Sequence, residues 1–151
     1  MSEKKVMERK ASDNKYLHRD FHCTLNIGID YLGRRYGTDA VKEYIVRFVH
    51  SYYKPMDLDG LEKYFKDIFE AEESSDLLKL TRTESSLKVD IEECPAIKFM
   101  RSIGDEPSQW YGLTTTLLYA ELAKVCGLQF TLYSYEPQTG RAGFEFKEAG
   151  K

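Results

Sequence analysis

Residues 77–93, LLKLTRTESSLKVDIEE, decide the fold because their apolar residues recur at every second position. The two runs LLKLTRT and SLKVDIEE alternate apolar and polar side chains, and a short Glu-Ser-Ser turn joins them, a pattern that predicts a β-hairpin. A second hairpin is predicted near the C-terminus, where LQFTLYSY and RAGFEFKE flank the turn EPQTG. The sequence therefore predicts an antiparallel sheet of about four strands.

Before the first hairpin, apolar residues recur every three or four positions, which is the spacing of amphipathic helices. Helices are predicted over 12–36, 38–54 and 57–70, and Gly37 and Pro55 end the first two. The acidic run EAEESSD ends the third helix and is interpreted as a solvated helix end and connector.

Two further helices are predicted between the hairpins. CPAIKFMRSIG has proline at a plausible first helical position and ends at Gly104. SQWYGLTTTLLYAELAKVCG can be capped by Ser108 and ends at Gly127. The predicted fold is α+β, with N-terminal helices and a roughly four-stranded antiparallel sheet built from two hairpins with helices between them. We expect a flexible N-terminus over 1–11 and a single domain over 12–148, because 151 residues suffice for one core.

The charge balance and the apolar runs exclude several classes of partner. With 25 acidic and 22 basic residues the formal net charge is -3, so no general attraction to nucleic acid is expected. The longest apolar runs fall short of a membrane span, and MSEKKVMERK lacks the apolar segment of a signal peptide, so a cytoplasmic protein is expected. Cys23, Cys94 and Cys126 are sparse and odd in number, which favours free thiols over disulfides.

The stretch KYLHRDFHCTLN, residues 15–26, carries the first candidate site. Positions four apart share one face of a helix, so His18 and His22 can present both imidazoles to one point. This spacing suits a metal ion, but the pair lacks the intervening glutamate of a zincin motif and its further ligands are not evident, so metal is possible but not favoured. The alternatives are a catalytic or substrate-binding pair, or an ordinary polar edge of the core.

Cys94 is the second candidate because it directly precedes the proline that starts a predicted helix. The positive end of the helix dipole favours a thiolate and lowers its pKa, which is typical of a nucleophile. The alternative is a packed thiol, because cysteines are among the residues most often buried.

Three segments together resemble a known family: KYLHRDFHCTLNIGIDYLGRRYGTDAVKEYIVRFVHSYYKP, CPAIKFMRSIG and AELAKVCGLQFTLYSYEPQTGRAGFEF. In order and spacing they resemble the L-2-amino-thiazoline-4-carboxylic acid hydrolases, over nearly the whole chain. The fold resembles, more distantly, α+β ligand-binding domains of the 4-vinyl reductase type, in which cysteine and histidine can hold a metal. Many relatives carry a further cysteine where this chain has SQWYGLTTT, which is a departure from the pattern.

The resemblance implies hydrolytic opening of a small five-membered ring, with water added to the ring carbon of a C=N bond. Combined with the chemistry of the residues, it predicts a hydrolase in which His22, with Asp20 or His18, acts as acid and base. Cys94 is expected to be the nucleophile or a site thiol.

A thiazoline-like or cyclic amidine-like carboxylate substrate needs a cation, and we expect Arg19 and Arg101 to bind it. Trp110, Tyr111 and Thr115 are expected to complete the substrate site. No organic cofactor is expected, and the chain is a possible homo-oligomer. The alternative function is a non-catalytic small-molecule or metal-binding module of the same fold.

Overall fold

A four-stranded antiparallel sheet forms one layer of the fold, and helices cover one of its faces. The structure is a computed structural model that describes the backbone of residues 15–150 and the side chains of residues 18–150. The helices are α1 (Lys15–Tyr36), α2 (Thr38–Tyr52), α3 (Leu58–Ala71), α4 (Pro95–Ser102), α5 (Leu113–Thr116) and α6 (Leu118–Val125). The strands are β1 (Leu78–Arg82), β2 (Ser86–Ile91), β3 (Leu128–Glu136) and β4 (Arg141–Glu148).

The sheet has the order β1-β2-β4-β3, so the two hairpins meet through β2 and β4. Leu87 pairs with Phe146 and Val89 with Phe144, which aligns the apolar faces of both hairpins. A register shift interrupts the pairing of β3 with β4 near Leu132. The α+β class and the four antiparallel strands predicted from the alternating runs are confirmed.

The core forms where α3 lies over β4. Phe144 and Phe146 are two residues apart, so their side chains point to the same face of the strand, and neither is exposed. The ring of Phe65 from α3 packs against both, with centroid separations of 5.9 and 6.1 Å. Val41 and Ile45 bring α2 to the same core.

One predicted helix is divided in the structure. Where a single helix was predicted from Ser108 to Gly127, turns precede α5 and a break separates it from α6. The hydroxyls of Thr114 and Thr116 donate to the backbone carbonyls of Tyr111 and Gly112, at 2.7 and 3.2 Å. Such side-chain bonds compete with regular helix geometry, which accounts for the irregular segment.

The predicted flexible N-terminus over 1–11 and the predicted start of the first helix near residue 12 lie outside the described residues. Among the described residues, no helix is both long and apolar enough to cross a membrane.

Candidate functional site

The first part of α1 presents two imidazoles in one place. His18 and His22 are one turn apart, and their ring centroids are separated by 6.3 Å. Each side chain is only 16% exposed, so neither histidine is a freely solvated surface group. The predicted convergence of the two rings is confirmed.

Glu72, which immediately follows α3, completes this cluster. Its side chain is 8% exposed and forms a hydrogen bond between Oε1 and Nε2 of His22. The same carboxylate oxygen lies 3.9 Å from Nδ1 of His18. We call His18, His22 and Glu72 the His-His-Glu cluster.

The sequence contains a signal for Glu72 that the prediction missed. The acidic run EAEESSD was interpreted as a solvated helix end, and this is wrong for Glu72. That residue follows Phe65 by seven positions and Phe69 by three, so it continues the buried face of α3. A carboxylate at an inward helical position needs a partner, and the two histidines of α1 provide it.

The cluster can perform two kinds of chemistry. A carboxylate hydrogen-bonded to an imidazole orients the ring and supports proton transfer, as a general acid–base pair does. Two imidazoles and one carboxylate are also a donor set for a transition metal, and the candidate ligand atoms all lie within 4.8 Å of one another.

Cys94 precedes α4 as predicted, and its surroundings match the alternative of a packed thiol rather than that of a nucleophile. It is the N-cap of α4, and its backbone N–H donates to the carbonyl of Thr139 at 2.9 Å. Gly140 lies so close that a Cβ built on it would be 2.3 Å from Cβ of Cys94. The turn between β3 and β4 therefore packs directly on this residue.

The pKa of the Cys94 thiol is raised, so the predicted lowering was wrong in direction. Burial is the largest cause, and the carboxylate of Glu72 raises it further. Hydrogen bonds from the backbone of Ile97 and Ala96 lower the pKa, as expected at a helix start, but they do not outweigh burial. The thiol is therefore a poor thiolate nucleophile in this structure.

Two tyrosines, Tyr111 and Tyr135, are influenced electrostatically by the thiol. Tyr111 is 3% exposed and belongs to a small apolar cluster against which Cys94 and Cys23 pack. Burial is the largest cause that raises the pKa of Tyr111, and the charges of Cys94 and Glu72 raise it further. Burial and then Cys94 raise the pKa of Tyr135 to about 12. Tyr111 thus lies in the same electrostatic environment as the thiol and the carboxylate.

The remaining charged residues predicted for the site, Arg19, Arg101 and Asp20, contact other groups or face solvent. Arg19 stacks over the ring of Phe99, with 4.9 Å from its guanidinium carbon to the ring centroid. Arg101 is exposed in the last turn of α4, and Asp20 is exposed on α1.

Trp110 and Thr115 have packing roles. The indole of Trp110 covers Gly33, where an added Cβ would be 2.4 Å from the ring, and its Nε1 donates to Thr38 Oγ1 at 2.9 Å. Thr115 is 8% exposed. All three cysteines are free, as predicted.

A cleft of about 760 Å³ lies one turn further along α1, between residues 26–35 and the loop 106–109. Asn26 holds that loop in place, because its Oδ1 accepts from the backbone N–H of Ser108 at 2.7 Å. His18, His22 and Cys94 do not line the cleft, although Asn26 follows His22 by four residues on the helix.

Comparisons of the chain with protein-family models, with curated proteins and with solved structures found no match. The resemblance to the L-2-amino-thiazoline-4-carboxylic acid hydrolases therefore stays a prediction.

Proposed function

We propose that this protein is a hydrolase that opens a small cyclic substrate containing a C=N bond and a carboxylate, with the His-His-Glu cluster activating water. The observation that carries the proposal is the hydrogen bond between His22 and the buried carboxylate of Glu72. A carboxylate that orients an imidazole makes it an effective acceptor and donor of a proton.

In the proposed reaction, water adds to the ring carbon of the C=N bond. His22 accepts the proton that water loses, and Glu72 stabilises the imidazolium that forms. The electron pair of the C=N bond passes to the ring nitrogen, which takes this first proton from the imidazolium. The added hydroxyl then gives its proton to His22 as the C=O bond forms and the bond from that carbon to the other ring heteroatom breaks. His22 passes this second proton to the leaving heteroatom. Water is consumed, one ring bond is cleaved, and no oxidant or reductant is required.

The cleft beside Asn26 is the proposed entry for the substrate. Two arginines of α1 line it. Arg34 is engaged by Asp30 through a 2.6 Å ion pair, whereas Arg35 lies over the ring of Tyr36 at 6.0 Å. Because a helix rises about 1.5 Å per residue, Arg35 lies about 20 Å from His22 along α1, too far for one small ring to span. Arg19 and Arg101 therefore stay the proposed partners of a substrate carboxylate.

The experiment follows ring opening of 2-amino-thiazoline-4-carboxylate by mass spectrometry with purified protein. Because general acid–base catalysis contributes about 10²–10⁴-fold, we expect His22→Ala and Glu72→Gln to lower the rate by at least about 100-fold. His50→Ala is the matched control, since His50 pairs with a different glutamate, Glu121, at 2.8 Å. No ring opening by the wild type, or full rates in both cluster variants, would contradict the proposal.

A further inference from the structure

We infer that His18, His22 and Glu72 bind one divalent first-row transition metal ion. The inference goes beyond the proposed hydrolase and does not depend on it, because an ion can be bound whether or not ring opening occurs. With an ion bound, His22 would be a ligand and could not accept a proton from water. Activation of water would then be supplied by the metal instead of by His22.

The geometry directs three donors to one point. Both imidazoles face the same carboxylate oxygen, Oε1 of Glu72, and the ligand atoms of the three residues lie within 4.8 Å of one another. A tetrahedral zinc ion holds neighbouring nitrogen and oxygen ligands about 3.3 Å apart. To reach that spacing the His18–Glu72 pair would shorten from 3.9 Å and the hydrogen-bonded His22–Glu72 pair would lengthen, which are changes that side-chain rotations can provide.

The hydrogen bonding of His18 is incomplete without a further partner. Its Nε2 is buried and has no hydrogen-bond partner in the described part of the chain. Its Nδ1 is 3.9 Å from Glu72, which is beyond hydrogen-bonding distance. Buried polar atoms are nearly always satisfied. His18 therefore has an unpaired Nε2 and an Nδ1 that faces the carboxylate without bonding to it, and one of these nitrogens is available to a metal ion.

The negative charge of Glu72 also favours a bound cation. Glu72 is 8% exposed, and within the described residues its ion-pair partners are the two histidines. A second glutamate of the chain shows the contrast: Glu121, also 8% exposed, accepts from His50 and from Lys124, both at 2.8 Å. Lys124 thus neutralises the carboxylate of Glu121. At Glu72 a bound metal cation would do the same.

The donor set selects the class of ion. Imidazole nitrogen suits zinc and its neighbours, whereas calcium and magnesium prefer sites made of oxygen ligands. Three protein ligands also leave a coordination position for water or a substrate, which is the arrangement of catalytic rather than structural zinc sites.

The test uses the full chain after removal of metal with EDTA, under reducing conditions. Zinc is titrated in competition with a chromophoric chelator, and cobalt(II) is added separately for absorption spectroscopy. We expect one equivalent of zinc per chain, and a cobalt spectrum of low-symmetry nitrogen and oxygen coordination without a thiolate charge-transfer band.

The variants His22→Ala and Glu72→Gln should weaken zinc binding by at least about 100-fold, since even the loss of a group that only hydrogen-bonds to a metal ligand costs about 10–100-fold. His50→Ala should leave the affinity unchanged, and circular dichroism verifies that each variant is folded. Glu72→Gln keeps the size of the side chain, so it tests the site if His22→Ala does not fold. Absence of stoichiometric zinc, equal weakening in His50→Ala, or a thiolate band would overturn the inference, and none of these readouts depends on ring opening.

Discussion

Replacement of Gly140 by alanine tests how closely the second hairpin packs on Cys94. Gly140 has φ +71, a conformation that costs an alanine about 1–2 kcal/mol. Its new Cβ would lie 2.3 Å from Cβ of Cys94, an atom next to the backbone that cannot rotate away. Overpacking of this kind costs about 1–3 kcal/mol. The sum predicts that Gly140→Ala lowers the free energy of unfolding by about 2–5 kcal/mol.

Urea unfolding followed by circular dichroism measures this loss, and Gly127→Ala is the matched control. Gly127 also has a positive φ, +68, but apart from its chain neighbours no atom of the described residues lies within 4 Å of the position that an alanine Cβ would take. Gly127→Ala therefore bears only the conformational cost. Gly140→Ala should therefore be more destabilising than Gly127→Ala by about 1–3 kcal/mol. Equal losses in the two variants would refute the close contact between the turn and Cys94.

Two other predictions concern titratable groups. Burial raises the pKa of Cys94, so at pH 7 iodoacetamide should alkylate this thiol more slowly in native than in unfolded protein. Peptide mapping measures the two rates, and faster alkylation of the native thiol would contradict the prediction. Burial alone would raise the pKa of Glu121, but hydrogen bonds from Lys124 and His50 outweigh it, and the net pKa is lowered from 4.5. Ionised Glu121 therefore stabilises the fold above that value, and this contribution is lost as the pH falls through the lowered folded pKa. In thermal unfolding, Glu121→Gln should be less stable than the wild type at pH 7, and the difference should shrink as the pH falls below 4.5. A pH-independent difference would contradict the pairing.

The sheet was predictable because its signal is local. Leu87 and Val89 alternate with polar residues, and alternation alone assigns them to one face of a strand. Gly37, which has φ +91, likewise marks the end of α1 without reference to the rest of the chain. The break before α6 was missed because the competing hydrogen bonds of Thr114 and Thr116 appear only in three dimensions.

The pairing of the two histidines was predictable from the sequence, but their contact with Glu72 was not. His18 and His22 share a helix, so their spacing predicted that the rings converge. Glu72 comes from a helix fifty residues away from His22 in sequence, and only the packing of α1 near the end of α3 brings the two together. The choice between a reactive and a packed Cys94 stayed open for the same reason, because the turn that encloses it is formed by Thr139 and Gly140, distant in sequence.

The most direct test of the His-His-Glu cluster is a crystal structure of the zinc-loaded protein with anomalous diffraction collected on both sides of the zinc absorption edge. We predict one anomalous peak within about 2.0–2.2 Å of a ring nitrogen of His18, a ring nitrogen of His22 and a carboxylate oxygen of Glu72. A peak at Cys94 or at His50 instead, or no peak between the three residues, would contradict the assignment of this cluster as the functional site.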